Sequence, residues 1–186
     1  RRGIPVFERT QAWGALMRGY PNALCISGTH GKTTTTSMCT HIMMAAEKDP
    51  TVMIGGTLPL LHACHRVGKG STIIMESCEY YNSFLALNPT IAVILNIEAD
   101  HLDFFKDIED IKHSFRQFAE RVPAETGTVI ANCDDANTMD ALRGIERKVI
   151  TFGLSQKADV YAENIMHRGS SSEFDIYHRG NLFAHV

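Results

Sequence analysis

The sequence has no apolar run near the roughly 20 residues that a bilayer span requires, no repeat and no low-complexity tract. No signal peptide opens it, so a cytoplasmic protein with no membrane partner is expected. Basic excess is missing too: 18 Lys and Arg stand against 21 Asp and Glu, a net charge of −3. Without a basic footprint, nucleic acid is not an expected partner. The five cysteines, Cys25, Cys39, Cys64, Cys78 and Cys133, are odd in number, scattered, and form no C-x-x-C. That argues against a disulfide framework or a cysteine zinc site. His62-Ala63-Cys64-His65 gathers ligating residue types, but four residues this close rarely supply a whole site, and the segment reads as a solvated loop.

What is present is an alternation of short apolar runs with helical stretches. The runs are Ala23–Ser27, Thr51–Ile54, Ser71–Met75, Thr90–Leu95, Gly127–Asn132 and Lys148–Phe152. Helical patterns cover Glu8–Arg18, with Ala12, Ala15 and Leu16 on one side and Trp13 available for packing, then Thr33–Ala46, Ile108–Val122 and Ala136–Arg143. Strands that are apolar throughout and separated by helices indicate a parallel sheet buried on both faces, a doubly wound α/β fold. A chain of 186 residues suits one such domain and can bury about 70% of its unfolded surface. From Ala158 the pattern becomes alternating, in Val160–Ala162, Phe174–Tyr177 and Leu182–Ala184, with a turn at Arg179–Asn181. This predicts a small antiparallel appendage near the C-terminus, and Gly169–Ser172 reads as a flexible turn. Pro5–Phe7 resembles the tail of a strand. Residues 1–20 are expected to be the end of a preceding domain or a linker, and 21–186 the main α/β domain, cut short at its C-terminal end.

The densest chemistry is in Gly28-Thr29-His30-Gly31-Lys32-Thr33-Thr34-Thr35-Thr36, which follows an apolar run and opens a helical one. Glycines let the backbone turn sharply and bring N–H groups against phosphate oxygens. Lys32 supplies a positive charge for the outer phosphates, and the Thr33 hydroxyl can enter the shell of a magnesium ion. The positive end of the following helix faces the same anion. The general phosphate-loop pattern has another glycine five residues before the second one, where Ile26 stands here. The expected nucleotide-binding set is Gly28, Thr29, His30, Gly31, Lys32, Thr33 and Thr34.

Two more strand ends carry polar groups. Glu76 directly follows Ser71–Met75, with Glu79 about one turn on; His101 follows Thr90–Leu95, flanked by Asp100 and Asp103. In open α/β sheets ligands lie beyond the carboxyl ends of the strands. Glu76 can therefore hold magnesium beside the loop. A neutral His101 can bind a metal through one ring nitrogen while Asp100 or Asp103 orients it. Lys32, Glu76 and His101 are the expected catalytic groups, with Thr33, Glu76 and His101 holding one or two Mg2+ alongside ATP.

The loop, Glu76-x-x-Glu79 and Asn96-Ile97-Glu98-x-Asp100-His101-x-Asp103 resemble the central ATPase domain of the Mur ligases. The histidine within the loop, the run of four threonines and the stretch Glu76 to Phe84 are most similar to the branch that adds L-alanine to UDP-N-acetylmuramate. Asn132-Cys133-Asp134-Asp135 and Thr151-Phe152-Gly153 extend the resemblance over the chain. It implies ligation through an acyl phosphate in peptidoglycan precursor synthesis: ATP phosphorylates the lactyl carboxylate of UDP-N-acetylmuramate, and the amine of L-alanine displaces phosphate. Sister branches carry a carbamylated lysine about fifteen residues beyond the histidine, where Arg116 stands. The adenine-contacting asparagine of the family is expected just past Val186, and the chain alone is expected to have little ligase activity. Competing readings are a folylpolyglutamate synthase-like ligase of the same superfamily and a nucleotide-dependent switch that orders loops around a γ-phosphate.

Overall fold

A computed structural model describes residues 3–186; Arg1 and Arg2, the start of the expected 1–20 segment, lie outside it. In chain order the elements are α1 (Arg9–Met17), β1 (Asn22–Ser27), α2 (Lys32–Ala45), β2 (Thr51–Leu58), β3 (Ala63–Arg66) and β4 (Thr72–Glu76). After a 3-10 stretch at Tyr80–Ala86 come β5 (Ile91–Ile94), α3 (Ile108–Glu120), β6 (Thr128–Asn132), α4 (Ala136–Ala141) and β7 (Lys148–Gly153). The hairpin strands β8 (Val160–Arg168), β9 (Ser171–His178) and β10 (Asn181–His185) end the chain.

All ten strands form one sheet, ordered β10-β9-β8-β7-β6-β5-β1-β4-β2-β3. The stretch from β8 to β2 is parallel throughout. Antiparallel pairing is confined to the edges, β2 with β3 and the β8–β9–β10 meander. The central strands are apolar through their interiors because both faces are covered. Ala23 and Cys25 of β1 join Met17, Phe84, Phe115 and Phe118 on one face. Leu24 and Ile26 join Val52, Ile74 and Val93 on the other, where Cys39 and Met43 of α2 pack. Phe84 and Phe118 stack with centroids 4.6 Å apart. Burial holds the Cys25 thiol up at about 12, so it behaves as a small apolar group.

α2 buries polar residues without leaving donors stranded. The fully buried Thr36 and Thr40 donate to the carbonyls of Lys32 and Thr36, at 2.7 and 2.8 Å. A threonine-rich helix can therefore lie on the sheet at little desolvation cost. From β1 the chain runs to β2 and the edge strand β3, returns to β4 between β2 and β1, then crosses to β5 on the other side of β1 and builds outward from there. The strand order thus reverses beside β1, and the ends of β1, β4 and β5 open onto one crevice.

Several expectations are corrected. Pro5–Phe7 is in no strand, and His62–His65 is no free loop, since Ala63–Arg66 pairs with β2 as an exposed edge strand. The β2 strand runs four residues beyond Ile54, because the segment after it folds back as that partner. The meander strands β8 and β9, of nine and eight residues, are longer than the short strands expected. The turn there is only Gly169–Ser170, with Ser171 and Ser172 already in β9. In α1 Trp13 packs on the core as expected, beside the buried Gly14 and Met17, whereas Ala12, Ala15 and Leu16 face solvent.

α1 is closely seated on the domain. The Asn88 amide donates to the Gly14 carbonyl at 2.7 Å, and Tyr20 shares a 2.8 Å hydrogen bond with Thr51. A Cβ at Gly14 would collide with the Ala86 carbonyl oxygen. Gly14→Ala is therefore expected to cost about 1–3 kcal/mol and to lower Tm by roughly 3–10 °C. An unchanged melting curve would show that α1 lifts off freely, as a linker would.

Candidate active site

The loop between β1 and α2 is tied to the segment after β5. Thr29 N–H donates to the Asn96 carbonyl at 3.0 Å, and Glu98 N–H donates to Thr29 Oγ1 at 2.9 Å. The Asn96 amide grips His30 twice, accepting from its N–H at 2.8 Å and donating to its carbonyl at 3.1 Å. Gly28 and Gly31 have φ of +147° and +82°, which only glycine adopts without strain. Gly31 is the residue from which α2 springs, so the free N–H groups of the first helical turn open into the crevice. His30 projects outward, its Nε2 lying 3.6 Å from Glu98 Oε2, and Thr34 sits exposed in the first turn of α2.

Lys32 is folded over this loop. Its Nζ donates to the carbonyls of Gly28 and Thr29, at 2.5 and 3.0 Å, and meets both oxygens of Glu79 at 3.0 and 3.2 Å. Glu79 is 2% exposed, so its charge depends on this partner. His101 Nε2 lies 3.9 Å from the same carboxylate. Glu76 makes a second node: Thr33 donates to Oε1 at 2.9 Å and Gly55 N–H to Oε2 at 2.7 Å. A Cβ at Gly55 would stand 2.5 Å from the Glu76 carboxylate, so a side chain there would displace it.

Lys32, Thr33, Glu76 and His101 thus gather at one crevice, with Glu79 at its centre. Sequence reasoning preferred Glu76 to Glu79 because it directly follows the strand. What that preference left out is the burial of Glu79: past the strand Ser77 and Glu79 are buried while Glu76 and Cys78 are not. A buried carboxylate must be paired. The expected orientation of His101 also differs. Asp100 accepts the backbone N–H of His101 at 2.7 Å, while Asp103 accepts the Tyr80 hydroxyl at 2.5 Å. Arg116 points elsewhere, donating to the carbonyls of Ala141, at the end of α4, and of Arg143 just past it, and to Glu120.

The donors suit a hard cation held jointly with phosphate. Two ligands at about 2.1 Å in cis positions of a magnesium octahedron lie about 2.9 Å apart, the separation of Thr33 Oγ1 and Glu76 Oε1. Among the described residues no three His, Cys, Asp or Glu side chains form a cluster able to hold a metal by themselves.

The family model of the Mur ligase middle domain matches residues 26–185. The chain belongs to the Mur ligase family. Among curated relatives, UDP-N-acetylmuramate--L-alanine ligase of Caldanaerobacter subterraneus subsp. tengcongensis is 45% identical over 98% of this chain and 40% of its own length. The Acetivibrio thermocellus enzyme of the same name is 48% identical over 88% and 35%. The chain therefore spans about two fifths of the length of the relatives it matches. Among solved structures, UDP-N-acetylmuramate:L-alanyl-gamma-D-glutamyl-meso-diaminopimelate ligase from Neisseria meningitides superimposes with a TM-score of 0.85 at 25% identity, over 99% of this chain and 60% of that one. UDP-N-acetylmuramate-alanine ligase from Thermotoga maritima gives 0.76 at 23% identity, over 92% and 38%. The latter likeness carries the fold alone: a Mur ligase middle domain with a ten-stranded, mostly parallel sheet. No helix among the described residues is long and apolar enough to cross a membrane.

Proposed function

We propose that this chain is the ATP-binding domain of a cytoplasmic ligase that joins L-alanine to UDP-N-acetylmuramate through an acyl phosphate. The observation that carries this reading is the set of relatives at 41–48% identity bearing that enzyme's name. The crevice supports it with the groups phosphoryl transfer needs. Lys32 leaves its carbonyl partners to contact the outer phosphates, and the free N–H groups of the loop and first turn of α2 cradle them. Thr33 and Glu76 would hold one magnesium, and Glu79 and His101 would flank a second. Bound Mg2+ supplies charge neutralisation on the transferring phosphate.

In the reaction the lactyl carboxylate oxygen bonds to the γ-phosphorus as the bond to ADP breaks. The alanine nitrogen then bonds to the acyl carbon, phosphate departs and the nitrogen loses a proton. The amine acceptor has a second reading, because the ligase with TM-score 0.85 carries a tripeptide in its name. Both names share UDP-N-acetylmuramate, so the carboxylate substrate is common to the two.

Phosphate release by the full-length protein decides. Release that requires ATP, Mg2+, UDP-N-acetylmuramate and L-alanine supports the proposal. Release with the tripeptide instead of alanine selects the second reading, and release indifferent to any acceptor selects a nucleotide switch. Residues 1–186 alone are expected to show little turnover in the same assay. Glu76→Gln retains the shape but weakens the magnesium node. It is expected to raise the Mg2+ concentration for half-maximal release by about 10-fold or more, leaving Tm within about 2 °C.

A further inference from the structure

We propose that Tyr80 is a positioning residue that fixes the His101 imidazole, and that Asp103 acts on His101 only through it. The inference rests on reading His101 as a metal-holding group. His101 has φ of +52°, an uncommon conformation for a side chain of its size. Among the described residues no hydrogen bond reaches its ring: the nearest carboxylate oxygens, from Glu79 and Asp100, are each 3.9 Å away. What holds the ring is a face. The Tyr80 phenol stacks on it with centroids 4.3 Å apart and planes 26° from parallel.

Tyr80 is held in turn from several sides. Its hydroxyl donates to Asp103 Oδ2 at 2.5 Å, and Phe104 meets it edge-on at 6.2 Å. Behind it Tyr81 and Asn82 both have positive φ, of +52° and +54°, a kink that turns the chain back on itself. Asn82 N–H donates to the Glu79 carbonyl at 2.8 Å, and its side chain is bonded by the Ser114 hydroxyl. Backbone strain of this kind persists only where the surroundings over-determine it. Tyr80 directly follows Glu79 and stacks on His101, so one strut spans the loops after β4 and β5 and sets the spacing between the two groups.

The test counts Mn2+ bound to the full-length protein by electron paramagnetic resonance, with ADP present. His101→Ala identifies the ion that depends on His101. Tyr80→Leu is expected to weaken that ion by about 10-fold and to leave the other unchanged, with Asp103→Asn shifting it the same way by less. Tyr80→Phe keeps the ring and loses only the Asp103 tie, so it preserves the comparison if Tyr80→Leu fails to fold; it should match Asp103→Asn. Wild-type binding of both ions by Tyr80→Leu, or by Tyr80→Phe and Asp103→Asn where Tyr80→Leu does not fold, overturns the proposal while His101→Ala shows a loss. A lowered Tm with unaltered Mn2+ binding marks packing alone and also overturns it. Wild-type binding by His101→Ala removes the underlying reading of His101, and the positioning role with it.

Discussion

Lys32→Met is expected to abolish acceptor-dependent phosphate release, by about 10³-fold or more, and to unfold the domain more easily. The two losses have different causes. Activity falls because no other cation is within hydrogen-bond distance of the loop carbonyls of Gly28 and Thr29 in the described residues. Stability falls because Glu79, with its side chain 3% exposed, is left as a buried charge with no counterpart. Removing one partner of such a pair costs about 3–5 kcal/mol, or roughly 10 °C in Tm for a domain of this size. Adding Glu79→Gln to Lys32→Met should recover most of the Tm and none of the turnover. Calorimetry and phosphate release on the three variants separate the effects. A Lys32→Met protein that melts like wild type would mean the pair is not the buried contact its geometry describes.

The sheet was legible because its central strands are buried on both faces. Runs such as Ile73-Ile74-Met75 and Ala92-Val93-Ile94 have no polar phase to confuse with a surface helix, and the structure pairs each of them in parallel with β1. The edges were harder. Ala63–Arg66 contains two exposed polar residues and lies on a sheet margin, where side-chain pattern is weakly constrained. α1 was only partly legible: Trp13 and Met17 pack on the core, but between them the helix approaches the domain at Gly14, a residue without a side chain to betray it. In the crevice, composition marked the loop, the two glutamates and His101 as neighbours at strand ends. It could not show that Glu79 is buried against Lys32, since that depends on how the chain continues past Met75 before it turns. Tyr80 was invisible for a different reason. Its contact partner lies 21 positions away on another loop, a pairing that no local pattern encodes.

The loop glycines should differ sharply when each is replaced by alanine. Both have positive φ, which costs an L-residue about 1–2 kcal/mol. At Gly31 little is added, because a Cβ there meets only the Leu95 Cδ1 methyl at 3.5 Å, an ordinary contact. At Gly28 the Cβ would lie 2.9 Å from Leu95 Cβ and 3.2 Å from the Asn96 backbone nitrogen. Neither of those atoms is the far end of a flexible chain, so relief requires the loop to move away from β5. That movement breaks the Thr29 N–H bond to Asn96 and loosens the double grip of Asn96 on His30. Gly28→Ala is therefore expected to lose about 3 kcal/mol or more, and Gly31→Ala about 1–2 kcal/mol, compared by urea denaturation. Nucleotide binding should follow the same order, because the N–H groups that meet phosphate are aimed by that attachment to β5. Equal losses at the two positions would mean that dihedral strain alone governs the loop and that its close approach to Leu95 and Asn96 is of no consequence.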